Sequence, residues 1–355
     1  MSKLLVDLSS VDFTDNRIHK KYDPSFITRY VIVANIVEEI RKQIGETKPL
    51  HILDLGGYNG AARALLPNDH VTILDVFDDS QLEDYLQVNS VGIPKADDSF
   101  DIVISTDVME HIQTVDRDKF VEDAIRTAKY ATIIAAPFEH SDKSVGFEED
   151  LANGVYKGQT GTDYNWLKEH REYTLPSTEW LDSKLALNEG LSYAKFSHTS
   201  LRLWGELTTI GYFIANNIEP VEPKLAKRLK QLDNQYFKKI AVNDFPSMGY
   251  RTVYVISKHF KSITVRTPAF NQDLIKDFCT TCRRALGAVL AEMSRLDGAN
   301  NDNIKALRDR GDNLESERNE YRDKWQKIEP LVNSFPGRAL RTLRRRLKWL
   351  QKRYS

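Results

Sequence analysis

Apolar and polar positions alternate along this chain in two rhythms. From Tyr22 to Ile44, Ile27, Tyr30, Val31, Ala34, Val37, Ile40 and Ile44 recur mostly at three- and four-residue steps after Asp23-Pro24-Ser25, which predicts an amphipathic helix. It is expected to pack on a sheet and roof a site, with no further role, and Arg17 to Tyr22 before it could fold over as a lid. Short β-rich runs then follow at His51–Leu55, Val71–Asp75, Tyr85–Ser90, Ser99–Thr106, Ala131–Pro137, Leu191–Ser197 and Thr252–Ser257. Helix-forming segments lie between several of them, among them Ala61–Leu66 and Lys119–Lys129. Such interleaving predicts an α/β, Rossmann-like sheet of seven strands. Leu201 to Pro246 carries a helical pattern punctuated by Pro220 and Pro223, an insertion that shapes either a substrate pocket or a subunit contact.

After Lys261 the rhythm changes. Asn271 to Leu296 reads as a helix, and Gly298 to Asn301 interrupts it. From there Ile304, Leu307, Gly311, Leu314, Arg318, Tyr321, Trp325 and Ile328 step by three and four, a heptad seam with two imperfect positions. A coiled coil that self-associates is expected, because a solvated single helix would leave Tyr321 and Trp325 bare. Beyond Pro336-Gly337, Leu340, Leu343, Leu347, Leu350 and Tyr354 make one stripe within a basic helix. The predicted organisation is a domain over 1–262, a helical and coiled-coil region over 263–330, and a basic amphipathic tail over 331–355.

Charge sharpens that division. The 355-residue chain has a formal net charge of −1, yet residues 331–355 hold eight Lys/Arg and no Asp/Glu, so the first 330 residues carry −1 − 8 = −9. A basic helix with a leucine stripe and Trp349 at its border is the pattern of an anchor on an anionic membrane surface. RNA binding and plain packing are the alternatives; phosphate contacts need no leucine stripe, so nucleic acid is not the expected partner. Met1 to Asp12 lacks the long apolar run of a signal peptide, and no stretch approaches the roughly 18 apolar residues of a spanning helix. Cys279 and Cys282 are the two cysteines, read as buried thiols in a reducing compartment, so the expected location is cytoplasmic, peripheral at the inner face of the plasma membrane.

Candidate chemistry starts at His51-Ile52-Leu53-Asp54-Leu55-Gly56-Gly57-Tyr58-Asn59-Gly60. An apolar run ending in an acid, then glycines, then a helix reads as the first unit of a nucleotide-binding sheet. The glycines let the backbone approach a ligand, which a side chain at Gly56 or Gly57 would displace, and a helix opening near Gly60 points N–H groups at the same place. The dinucleotide fingerprint G-x-G-x-x-G would need glycine at Leu55. Asp54-x-Gly56-x-x-x-Gly60 instead resembles motif I of the class I S-adenosylmethionine-dependent methyltransferases, departing from it at Tyr58, where that family often has glycine. Asp75 ends the next strand 21 residues later, about where an acid reaches a ribose diol. Gly92 to Ile112, with Asp98-Ser99-Phe100-Asp101 and Val108-Met109-Glu110-His111, resembles the L-P-F-x-D-x-S-F-D-x-V…V-L-E-H stretch of the type 11 subgroup.

The resemblance implies S-adenosyl-L-methionine as cofactor, with Asp54, Gly56, Gly57, Gly60, Asp75, Asn89 and Asp107 around it. Asn89 stands where an Asp often accepts from the adenine amine; capping a turn is the other reading. Glu110 and His111 follow the fourth strand, at the carboxyl edge where open α/β sheets bind ligands. As neighbours on a helix they would point about 100° apart, so one serves the site and the other packs. His111 is the first candidate for general base, with His140 and His170 behind it, and satisfying a backbone carbonyl is its alternative. His140, Glu169, His170 and Glu172 lack the fixed pairing of a zinc site, so no metal is expected.

Asn165-Trp166-Leu167-Lys168-Glu169-His170 also resembles a W-L-x-E-H stretch of methyltransferases associated with glycosyltransferases and surface-polysaccharide assembly. Aromatic faces and carboxylates suit a sugar ring and its hydroxyls. The expected activity is O-methylation of a glycan or lipid-linked saccharide at the cytoplasmic membrane face. An RNA methyltransferase and a non-catalytic scaffold of the same fold are the competing readings.

Overall fold

In the computed structural model the described residues are 3–14, 24–57, 60–77, 83–88 and 91–296, with 316, 319 and 320. β1 (Lys3–Asp7) opens the chain, α1 (Pro24–Ile44) follows, and β2 (His51–Leu55), α2 (Ala61–Leu65), β3 (His70–Asp75) and β4 (Tyr85–Gln87) come next. β5 (Phe100–Thr106), α3 (Arg117–Thr127) and β6 (Ala128–Pro137) lead to α4 (Ser144–Thr160), α5 (Asn165–Tyr173) and α6 (Thr178–Ala186). The domain continues through β7 (Ser192–His198), α7 (Leu201–Phe213), α8 (Pro223–Lys230), β8 (Arg251–Ser257), β9 (Ser262–Arg266) and α9 (Gln272–Leu296).

Seven strands form one Rossmann-like sheet in the order β4-β3-β2-β5-β6-β8-β7. All run parallel except β8, which is antiparallel to both β6 and β7. The chain enters at β2, winds outward to β4, then crosses back to β5. The order therefore reverses between β2 and β5, the switch point where open α/β sheets bind ligands. Strand alternation decides which face each residue serves. Leu53, Leu55, Val103, Ile134 and Ala136 pack with Phe120, Val121 and Ala124 of α3 and Leu181 and Leu185 of α6. Asp54 lies between Leu53 and Leu55, and Tyr30 of α1 reaches it from the other face.

Several boundaries differ from the sequence reading, among them the start of β6, which lies at Ala128 and not Ala131. The helix expected over Lys119–Lys129 is α3, which stops at Thr127 because Ala128 already pairs with Phe100 across β5 and β6. β4 covers only Tyr85–Gln87 of the expected Tyr85–Ser90. A second, two-stranded sheet was not anticipated: β1 and β9 pair in parallel from Lys3↔Ser262 to Asp7↔Arg266. Leu4 and Val6 are buried by it. Its partners stand at opposite ends of the domain, so no local spacing announces the pairing.

The chain clusters into one unit from Met1 to Val289 and another from Leu290 to Ser355, so the boundary drawn at 262 falls inside the first. What extends the first unit is β9 together with α9, whose Ile275, Phe278, Cys279 and Cys282 are buried and whose Arg283 pairs with Glu206 of α7. The two cysteines form no disulfide, and burial pushes the Cys282 thiol up to about 12, which makes it inert. Among the described residues no helix is long and apolar enough to cross a membrane. The coiled-coil seam Ile304–Ile328, apart from residues 316, 319 and 320, and the tail over 331–355 lie outside the described residues, as do Arg17 to Tyr22.

Candidate functional site

β2 carries Asp54 to the switch point and buries it completely. Its Oδ2 accepts from the Tyr30 hydroxyl at 3.4 Å, while Oδ1 has no hydrogen-bond partner among the described residues. Burial pushes this carboxyl up to about 8. Gly56 turns the chain at φ 73° and its N–H bonds the Leu74 carbonyl at 2.8 Å, tying the loop to β3. The glycine loop is tight for a reason other than the expected one. A Cβ at Gly56 would strike Val108 Cγ2, and one at Gly57 would strike the Asp54 carboxylate, so the chain's own atoms occupy that space. Gly60, at φ 69°, caps α2, which is only five residues long and so contributes a weak dipole. Tyr58 and Asn59, within this loop, and Asn89 lie outside the described residues.

Asp75 ends β3 nearby. Its Oδ1 accepts from the Val76 and Phe77 N–H groups at 2.7 and 3.2 Å, which aims the carboxylate along the sheet's edge. Phe77, 48% exposed, stands beside it. Asp107 behaves differently from expectation. It follows β5 at φ 51°, a left-handed conformation uncommon for a residue with a side chain, and both its oxygens are held by arginines. Arg251 donates from Nε to Oδ1 at 2.6 Å and from Nη2 to Oδ2 at 2.5 Å, and Arg29 of α1 also bonds Oδ2. Opposed by burial, these two cations hold the Asp107 carboxyl well below the usual range. Its carboxylate is thus spent on positioning, which a motif match cannot reveal.

After Asp107 a single 3-10 turn, Met109–His111, brings Glu110 and His111 to the mouth of the switch point. Here the expectation that they diverge fails. Glu110 Oε1 and His111 Nε2 are 4.0 Å apart, because one short turn and two long side chains let the tips converge. His111 Nδ1 meets Glu169 Oε2 at 2.9 Å, and its Nε2 meets His170 Nε2 at 3.3 Å. Both ring nitrogens of the expected base are therefore already partnered. His170 Nδ1 meets the buried Glu149 Oε1 at 2.9 Å, and the Tyr250 hydroxyl donates to the same oxygen at 2.9 Å. Trp204 of the insertion stacks on Tyr250 at 4.0 Å between ring centroids, so the insertion braces this chain of contacts from behind.

Charges divide unevenly across the cluster. Burial and the neighbouring His170 lower His111 to about 4. Burial works against charge on His170 too, but its bond to Glu149 and the charges of Glu149, Glu110 and Asp107 outweigh that and raise it. Glu110, 1% exposed, is pushed up to about 8 by burial and then by Asp107, and its Oε2 has no hydrogen-bond partner among the described residues. Trp166, 45% exposed, stands edge-on to the His111 ring at 5.1 Å between centroids. His140 is outside this cluster: its Nε2 bonds the Gly249 carbonyl at 3.2 Å, the ordinary role of a buried histidine.

The structure gathers Asp54, Asp75, Glu110, His111 and His170, all named from sequence, at the switch point and one strand to either side, and brings Arg29 and Arg251 onto Asp107, Tyr30 onto Asp54, and Glu149 with Tyr250 onto the His170 side of the cluster. The last five come from α1, α4, the residue before β8 and the first residue of β8, and nothing in their local spacing marks them.

No protein-family model matches the chain, and no curated protein matches it. Among solved structures it is similar to the YcgJ protein of Bacillus subtilis, at 14% identity over 62% of this chain and 95% of that one, with a TM-score of 0.34. It is similar to the plantazolicin methyltransferase BpumL in complex with a monoazolic desmethylPZN analog and S-adenosylhomocysteine, at 11% identity, 69% and 88% coverage and a TM-score of 0.39. A third is phospholethanolamine N-methyltransferase 2 of Haemonchus contortus with phosphomonomethylethanolamine and S-adenosylhomocysteine, at 16% identity, 70% and 60% coverage and a TM-score of 0.37. Function has to be argued from the site itself.

Proposed function

We propose that this chain is a class I S-adenosylmethionine-dependent methyltransferase whose acceptor is a hydroxyl of a glycan or lipid-linked saccharide. The observation that carries the reading is Asp54: a fully buried carboxyl group at the switch point, with one oxygen lacking a partner among the described residues, beside a glycine loop. An orphaned acceptor in such a place suits a ligand that brings its own positive charge and donors, as the sulfonium and ammonium groups of S-adenosylmethionine do. Asp75 supports the ribose end, since its turn holds the carboxylate at the carboxyl edge of the neighbouring strand. When bound, the cofactor supplies an activated methyl group. The protein's part is to hold an acceptor oxygen in line with it, in near-attack geometry.

The acceptor side rests on the cluster around His111. A hydroxyl must lose its proton as the new bond forms, and Glu110, His111 and His170 are the titratable groups gathered one strand over from Asp54. The exposed Trp166 beside them offers a flat apolar face of the kind that stacks on a sugar ring. Calorimetry with S-adenosylhomocysteine, followed by a methyl-transfer screen on nucleotide sugars, lipid-linked glycans and RNA, tests both halves. Binding with turnover on a saccharide is the expected result. Absence of cofactor binding would overturn the reading in favour of a scaffold, and turnover on RNA alone would overturn the acceptor.

A further inference from the structure

We propose that Glu110, His111 and His170 form a binding site for one divalent first-row transition metal ion. One ligand atom from each of these residues lies within 4.8 Å of the other two, although His170 comes from α5, far from the other pair in sequence. The two Nε2 atoms are 3.3 Å apart. Two imidazoles bound tetrahedrally at about 2.0–2.1 Å from a metal ion place their nitrogens about 3.3 Å from each other, so this pair is already at coordination spacing.

The outer nitrogens explain why the inner ones face each other. His111 Nδ1 sits on Glu169 and His170 Nδ1 on Glu149, each at 2.9 Å. An ionised carboxylate only accepts, so each Nδ1 carries the hydrogen and each Nε2 presents a lone pair. Two lone pairs pointed at one another repel unless a cation lies between them. A metal ion in the same place would take both lone pairs together. A carboxylate behind each metal-bound histidine is the usual outer support of such sites.

Glu110 supplies the third ligand. It is buried, and its Oε2 lacks any partner among the described residues, which costs free energy unless something positive satisfies it. Its Oε1 stands 4.0 Å from His111 Nε2, within a small side-chain adjustment of coordination. Two imidazoles with one carboxylate suit zinc, cobalt, nickel, iron or manganese rather than magnesium or calcium, which prefer oxygen ligands. Three protein ligands leave a position open. It would be reached from the partly exposed side of His111, next to Trp166. There a metal ion would bind the acceptor hydroxyl and lower its pKa, a role that rests on the methyltransferase reading, whereas the site itself does not.

The test is to strip the full chain with a chelator and titrate it with Co²⁺ alone, following calorimetry and visible absorption. One equivalent should bind and give ligand-field bands. His170→Gln and Glu110→Gln should each weaken binding at least tenfold, and Glu149→Gln, which meets the outer nitrogen of His170 and not the ligand atom, by about 10- to 100-fold. His140→Gln should leave it unchanged, as should replacement of the surface pair His51 and His70. Should His170→Gln fail to melt cooperatively, His111→Gln, partly exposed, is read instead. Binding below one equivalent, or binding unchanged in both His111→Gln and Glu110→Gln, overturns the site. S-adenosylhomocysteine affinity, measured on the same preparations, keeps the two proposals apart. Metal binding without cofactor binding defeats only the methyltransferase reading, and the converse defeats only the metal site.

Discussion

Asp54 shows what a single buried group can set. With its folded pKa raised by burial to about 8, it takes up a proton on folding that it would not hold in the unfolded chain above about pH 4. Its contribution is therefore fully present below the unfolded pKa and is lost as pH rises through the folded one. Glu110, also raised to about 8, acts in the same direction. Melting temperature should fall between pH 5 and pH 8.5, and Asp54→Asn should flatten that slope. If a cationic cofactor ionises Asp54, binding at pH 7 must release a proton, which calorimetry in buffers of different ionisation enthalpy would read directly. Asp75→Ala should weaken S-adenosylhomocysteine binding by about 2 to 4 kcal/mol through loss of charge-assisted hydrogen bonds. Asp75→Asn keeps an acceptor for the Val76 and Phe77 N–H groups, so its melt should hold while affinity still drops. At Gly56 the expected loss is of another kind. Gly56→Ala meets both a positive φ and Val108, so it should cost about 1 to 3 kcal/mol of stability even with no ligand present.

Helix α1 was expected only to cover the sheet, yet two adjacent residues, Arg29 and Tyr30, reach Asp107 and Asp54 respectively. Its guanidinium also lies over the Phe26 ring at 4.2 Å, which fixes it toward the site. Asp107 is thereby shared between α1 and β8, and its left-handed backbone is held by both. Removing one member of a buried pair leaves the other charge uncompensated, at a cost of about 3 to 5 kcal/mol. Arg251→Leu should therefore lower the denaturation midpoint sharply, and adding Asp107→Asn should recover part of the loss. No recovery in the double variant would show that Arg251 matters by packing alone. The insertion between β7 and β8 acts at the same scale. Trp204 braces Tyr250, and Tyr250 holds Glu149 on His170. Trp204→Ala should loosen the cluster without touching Asp54, lowering turnover while cofactor affinity stays near its original value.

For the whole molecule, the strand order joins the two halves of the site. Because β2 and β5 are neighbours across the reversal, an acid before the glycine loop and a Glu-His pair some fifty positions later open on one edge. The C-terminal regions enter as proposals from sequence: a self-associating seam and a basic tail for an anionic membrane surface. Each basic residue near such a surface contributes about 1 kcal/mol, so one tail binds reversibly and two or three held together gain about 10² to 10⁴ in avidity. Truncation after Pro330 should release the protein from anionic liposomes and leave its oligomer intact by sedimentation. Charged residues at Leu307, Leu314 and Tyr321 should weaken both together.

The sequence by itself determined the alternation of strands and helices, the glycine turn and the acids at strand ends. Each of these is encoded within a few residues, in a period of two or 3.6, a turn requirement or a fixed spacing. It could not reveal that β1 pairs with β9, that Asp107 is claimed by Arg29 and Arg251, or that His170 comes to face His111. Such contacts join residues far apart in the chain and depend on the side-chain directions that packing selects. The same limit hid the metal-like cluster. Its ligands come from a 3-10 turn and a distant helix, so only the folded chain brings His170 to Glu110 and His111.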